Sequence, residues 1–88
     1  DYIQVSGSLA ECTVEIRWFD EPHFRAFCIG RLEEDDSFQK VYCAIGPIPV
    51  NGNEVLKIAD AKTLFAFFYE HGDWPDTYRG RNFTWELA

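Results

Sequence analysis

The segment Cys12 to Phe19, CTVEIRWF, alternates strictly: Cys12, Val14, Ile16 and Trp18 fall on one side of an extended chain, and Thr13, Glu15 and Arg17 on the other. A period of two with β-branched and aromatic residues predicts a strand with one face in a core. Tyr2 to Val5 reads as a strand before it, joined through Ser6-Gly7-Ser8, and Asp20-Glu21-Pro22 is expected to stop it, because proline cannot donate to a ladder. Phe24 to Leu32 and Phe38 to Ile45 read as two more strands, each apolar on both faces, as strands covered on both sides or at an interface are.

Between these two runs stand Glu33, Glu34, Asp35 and Asp36. The default expectation is the solvated tip of a hairpin, where charge discourages edge aggregation. The competing expectation is an electrostatic contact surface that imitates nucleic acid. A hard cation wants carboxylate oxygens, but an EF-hand needs acids at alternate positions, a glycine at the sixth and a bidentate Glu at the twelfth, and Ser37-Phe38-Gln39 does not continue that pattern. No metal and no other cofactor is therefore expected.

Gly46-Pro47-Ile48-Pro49 is expected to end the strand block, and Asn51-Gly52-Asn53 to turn the chain before a short strand from Glu54 to Ile58. Asp60 then reads as a helix N-cap. Ala61, Leu64, Phe65, Phe68 and Tyr69 follow at helical spacing until Gly72 offers a left-handed cap, which predicts a helix from Ala61 to His71. Phe83 to Leu87 reads as a last edge strand. Strands followed by a helix imply an α+β fold, an antiparallel sheet of four to five strands with one principal helix on one face. One helix covers both faces of such a sheet poorly, so leftover aromatics favour a partner chain, or a homodimer through an open edge or face.

At 88 residues the chain makes one domain, residues 1–88, with a thin core, and its 47% hydrophobic content is enough to fold. The formal charge of -7 disfavours direct contact with nucleic acid or an anionic membrane, and suits a protein partner with a basic surface. Cys12, Cys28 and Cys43 are odd in number and form no CxxC pair, so a reducing, cytoplasmic location is expected, that of a host cell if the chain is phage-encoded. No apolar run is long enough to span a bilayer and no cleavable leader is visible at the start, while the absence of Met and the start at Asp1 suit a trimmed or excised segment.

The usual catalytic handles are missing. The chain holds no GxGxxG, GxxxxGK[ST] or GxSxG, and its two histidines, His23 and His71, sit in no motif with a cysteine. His71 is accounted for by the helix C-terminus and the cysteines by strand interiors, so a non-enzymatic chain is expected. The last segment is richer in interface residues: Trp74, Tyr78, Phe83 and Trp85 accompany Arg79 and Arg81, and aromatics with arginine are frequent binding anchors. Its structural alternative is a tail that wraps the helix and completes the core.

The expected function is a small acidic inhibitor that occupies a partner's surface through Glu33, Glu34, Asp35, Asp36, Trp74, Tyr78, Arg79 and Arg81. Phage anti-defence proteins such as anti-CRISPR proteins, and immunity proteins that neutralise basic nuclease toxins, are of this general size and charge. The alternatives are a ligand-binding or enzymatic domain with a pocket between sheet and helix lined by Phe65, Phe68, Tyr42 and Trp18, or an oligomerisation domain cut from a larger protein.

Overall fold

The computed structural model describes residues 1–8, 10–20 and 23–84, the side chains of Asp20 and His23 apart. The alternating segment forms β2 (Cys12–Asp20), and its apolar side is the centre of the core: Val14 and Ile16 are fully buried. β1 (Tyr2–Gly7) pairs with it antiparallel, Ile3 opposite Ile16 and Gly7 opposite Cys12. Ser6 and Gly7 thus belong to the strand. Of the three expected turn residues Ser8 is the one beyond the strand, its Oγ accepting from the N–H groups of Ala10 and Glu11 at 3.3 Å. Gly7 has φ 124, and a Cβ there would stand 2.5 Å from the Glu11 carbonyl oxygen, so only glycine fits.

β3 (His23–Arg31) pairs antiparallel with β2, beginning with His23 opposite Asp20. His23 therefore opens the strand, one residue earlier than Phe24. Glu21 and Pro22, expected to stop β2, lie outside the described residues. β6 (Tyr78–Asn82) pairs antiparallel with β3 and completes a sheet of order β1-β2-β3-β6. β6 is the last strand among the described residues, and the expected strand Phe83–Leu87 lies mostly outside them. Phe83 continues along β3, its N–H donating to the Ala26 carbonyl at 2.9 Å, and is buried. Residues 85–88, Trp85 among them, lie outside the described residues.

The acidic run does not tip a hairpin. β3 and β4 (Phe38–Cys43) are not partners: β4 pairs with β5 (Gly46–Asn51) in a separate two-stranded ribbon, and residues 33–36 carry the chain from the sheet to that ribbon. The proline segment, expected to end the strands, is itself β5. Pro47 and Pro49 are two residues apart, so their nitrogens lie on one edge, and a two-stranded ribbon has an edge that needs no donors. Residues Gly52–Glu54 form a 3-10 turn, Leu56 makes a single bridge to Cys12, and no strand runs from Glu54 to Ile58.

The helix α1 spans Ile58–His71 and starts earlier than Ala61 because Asp60 works from its third position, accepting the Lys57 N–H at 3.0 Å, and is not the N-cap. It ends as expected on Gly72, φ 70, whose N–H donates to Phe68 at 2.7 Å. Ala61 and Leu64, with Phe65 and Phe68, close one face of the sheet over Cys12, Val14, Ile16 and Ile29. The other face carries a second layer. The ribbon lies there, Val41 and Val50 packing with Ala26, Cys28 and Phe83.

Candidate protein-binding surface

The acidic run is divided by what each acid touches. Glu33 accepts from Arg31 Nε at 2.5 Å, and the same guanidinium donates to the Val55 carbonyl at 2.8 Å. Asp35 accepts from the Ser37 hydroxyl at 2.6 Å and the Ser37 N–H at 3.1 Å, which hold its carboxyl below the ordinary range. Its carbonyl takes the Asn53 N–H, so Asp35 stitches the crossing to the 3-10 turn. Glu34 and Asp36 are exposed and make no hydrogen bond or ion pair among the described residues.

Across from them stand the two arginines. Arg81 donates from Nε to Glu54 Oε2 at 2.8 Å and from Nη2 to Oε1 at 3.1 Å. Glu54 is 2% exposed and also accepts the Asn51 N–H at 2.8 Å, so its buried charge is compensated on both oxygens. Arg79 donates to the Leu32 carbonyl at 3.2 Å, tying β6 to the start of the crossing. The crossing, the 3-10 turn and β6 line an open cleft of about 510 Å³, to which Glu34, Asp35 and Asp36 contribute along with Arg79, Gly80 and Arg81. Glu34 to Asp36 and the two arginines, far apart in sequence, are thus brought to one place.

Trp74 and Tyr78 belong to the other face. Trp74 packs on Trp18 and Phe27 with centroids 5.7 and 5.3 Å away, and its ring occupies the space a side chain at position 80 would need. Tyr78 donates its hydroxyl to Asp60 at 2.7 Å; burial, and then that bond, pushes its pKa up to about 12. Both are half-buried parts of the core that holds the helix.

The exposed aromatics lie on the ribbon. Phe38, Lys40 and Tyr42 alternate outward along β4, and Pro49 and Pro47 lie opposite Lys40 and Tyr42. Phe38 is 70% exposed, Tyr42 67% and Ile45, at the turn, 94%; Lys40 Nζ lies 5.9 Å from the Phe38 ring centre. Sequence reasoning passed over this surface. The available signal was the alternation of Phe38, Lys40 and Tyr42 against Val41, which places three large side chains on the side away from the core.

No pocket forms from Phe65, Phe68, Tyr42 and Trp18. The first, second and fourth pack against the helix-side core, and Tyr42 stands on the outer face of the ribbon, with the sheet between them. Two of the thiols are held as thiols: burial, then the Asp60 charge, raises Cys12, and burial, then the Glu54 charge, pushes Cys28 up to about 12. Among the described residues no three His, Cys, Asp or Glu side chains converge as a metal site, and no helix is long and apolar enough to cross a membrane. Comparison with known proteins gives no match: no family model fits the chain, and no curated protein or solved structure is significantly similar to it.

Proposed function

We propose that this chain is a small acidic, non-enzymatic protein-binding module that works as an inhibitor by occupying a partner's surface, in the manner of anti-CRISPR or toxin-immunity proteins of similar size and charge. The observation that carries the reading is the ribbon, where Phe38 and Tyr42 stand exposed on the outer face of β4 and Ile45 at the turn that follows it. Large exposed apolar groups bordered by polar ones are characteristic of binding surfaces, and aromatics dominate the energy of such contacts.

The two parts act differently. A net charge of -7 accelerates encounter with a basic surface, such as one that holds nucleic acid, and this contribution fades with salt. The aromatic and proline face supplies area that is desolvated on contact and holds the complex once formed. Inside a cell, the partner's own ligand would be displaced by both charge and volume.

The test is capture of bound proteins from the source organism at low salt, followed by elution at high salt and mass spectrometry, with two variants in parallel. Phe38→Ala with Tyr42→Ala is expected to lose the partner at all salt concentrations. Glu34→Lys with Asp36→Lys is expected to slow association and abolish its salt dependence. Retention of every protein by both variants overturns the reading.

A further inference from the structure

Among the described residues, β1, β4, β5 and β6 each have a side with no partner strand. Three of these edges are blunted. β5 carries Pro47 and Pro49, β4 carries Lys40, and β6 carries Arg79 and Arg81. Proline and charge are the usual means by which edges are kept from pairing with other chains. β1, with the sequence YIQVSG, has neither. Its surroundings are apolar as well: Tyr2 and Val5 on the strand and Ile58 at the start of α1 are exposed, and Phe19, also exposed, stacks on Tyr2.

The ladder with β2 decides which backbone groups of β1 point outward. At one end the Ser8 N–H donates to the Glu11 carbonyl at 2.8 Å, and past the other end the Phe19 N–H goes to the Asp1 carboxylate at 2.8 Å. Cys12, opposite Gly7, gives its N–H and carbonyl to Leu56. Bonded pairs alternate along an antiparallel ladder, so Tyr2, Gln4 and Ser6 bond to β2. Ile3 and Val5 therefore turn both backbone groups away from the sheet, where no described strand meets them.

We infer that β1 pairs antiparallel with β1 of a second copy about a two-fold axis at Gln4, joining the two four-stranded sheets into one. The strand is self-complementary in this register. Gln4 faces Gln4, and Ile3 of each copy faces Val5 of the other, the pairs whose outward groups exchange both bonds. Ile3 and Val5 lie on the helix side, opposite Ile16 and Val14, so apolar meets apolar there. An open hollow lined by Val5, Cys12 and Ile58 adjoins that position, and Ile3 of the second copy would cover it. An axis at Ile3 would instead set Val5 opposite Asp1, and one at Val5 would set Ile3 opposite Gly7, each losing an apolar match. The net charge of -7 opposes any contact between copies, and a strand with no charged side chain is where that opposition is least. The pairing should accordingly tighten as salt rises.

Sedimentation and amide exchange on the whole chain test this. A dimer is expected to form with rising concentration, and exchange at Ile3 and Val5 to slow about tenfold or more between about 10 μM and about 1 mM. Val5→Pro removes an N–H that β2 does not use, so it should weaken the dimer about thirtyfold or more while protection along β2 stays unchanged. Gln4→Lys should weaken it about fivefold, and mixing Gln4→Lys with Gln4→Glu should restore it. A monomer at every concentration, species that grow beyond the dimer, or a dimer that Val5→Pro leaves intact overturns the assignment. So does protection of Ile3 and Val5 that ignores concentration, or a mixture no tighter than Gln4→Lys alone. Capture of other proteins through Phe38 and Tyr42 is read separately, so the protein-binding reading stands or falls without the dimer.

Discussion

On the helix side of the sheet, Val14, Ile16, Ile29 and Leu64 meet as fully buried hydrocarbon. On the ribbon side, Ala26, Cys28, Val41 and Val50 share the space with polar groups: Glu54 on Arg81, Arg17 on Glu15 at 2.8 Å, and Thr13 Oγ1 against Cys28 Sγ at 3.5 Å. The first layer is held by area, which has no direction. The second is held largely by bonds that form in one geometry only. Such bonds set where the 3-10 turn and the crossing lie over the sheet, and they leave room for a cavity that a hydrocarbon layer would have filled.

The helix side should be the more sensitive to truncation. Leu64→Ala is expected to cost about 4 kcal/mol by loss of buried area and a residual cavity, read from chemical denaturation. A cost below about 1 kcal/mol would mean that the helix packs more loosely than its burial implies. On the ribbon side, Arg81→Ala leaves the Glu54 carboxylate without its cation. The expected loss is roughly 2 to 3 kcal/mol, less than for a wholly enclosed pair because the cavity gives water access to the site. Glu54→Met with Arg81→Met should then recover most of that loss, which would show that the pair orients the layer more than it stabilises it.

Two glycines sharpen the contrast. Gly80→Ala drives a methyl into the Trp74 ring, which is locked by Trp18 and Phe27, and should cost about 2 kcal/mol. Gly52→Ala meets the exposed carboxylate of Asp35, which must leave its Ser37 hydrogen bonds to make room, and should cost about 1 kcal/mol. Urea midpoints of the two variants measured side by side decide this.

The smallest effect expected on the helix side is Tyr78→Phe, about 1 kcal/mol at neutral pH for one hydrogen bond. Its pH dependence is the sharper reading. The folded pKa of Tyr78 is raised from 10.0 to about 12, so its contribution is complete below pH 10 and is lost as pH climbs toward 12. Cys28, raised from 9.0 to about 12, behaves in the same sense on the ribbon side over a window that opens one unit lower. Tyr78→Phe should therefore remove the part of the alkaline loss that begins near pH 10, and Cys28→Ala the part that begins near 9. An unchanged alkaline profile in Tyr78→Phe would show that its hydroxyl is not held by Asp60.

Much of the local structure is legible in the residues. The alternation of Cys12 to Phe19 and the glycine after His71 each carry their physical cause with them, a buried face and a left-handed cap, and both elements form where expected. The larger corrections concern which strand lies beside which. Phe24 to Leu32 and Phe38 to Ile45 alternate equally well, and four acids between two such runs are compatible with a hairpin or a crossing. What decides is on β3: Ala26, Cys28 and Gly30 are small and share one face, and a Cβ at Gly30 would stand 2.7 Å from Asn53 Nδ2. That hollow accepts the ribbon and the 3-10 turn as a second layer. The paired prolines of β5 follow from the same choice, since only a ribbon with a free edge tolerates them.

The candidate surface was legible in part for the same reason. Charge and the acidic run are properties of composition, and they named Glu34 and Asp36. Trp74 and Tyr78 could not be told from anchors by residue type, because an aromatic beside arginine reads alike whether it faces a partner or a core; the sheet face on which each falls places both against the helix. The amino-acid sequence by itself determined the α+β class, the principal helix, its left-handed end and the acidic character of the surface, because these depend on neighbours along the chain. Tertiary structure alone decided the division into a sheet and a ribbon, the outward turn of Phe38 and Tyr42, and the meeting of residues 34–36 with 79–81, because each requires residues distant in sequence to compete for the same buried space.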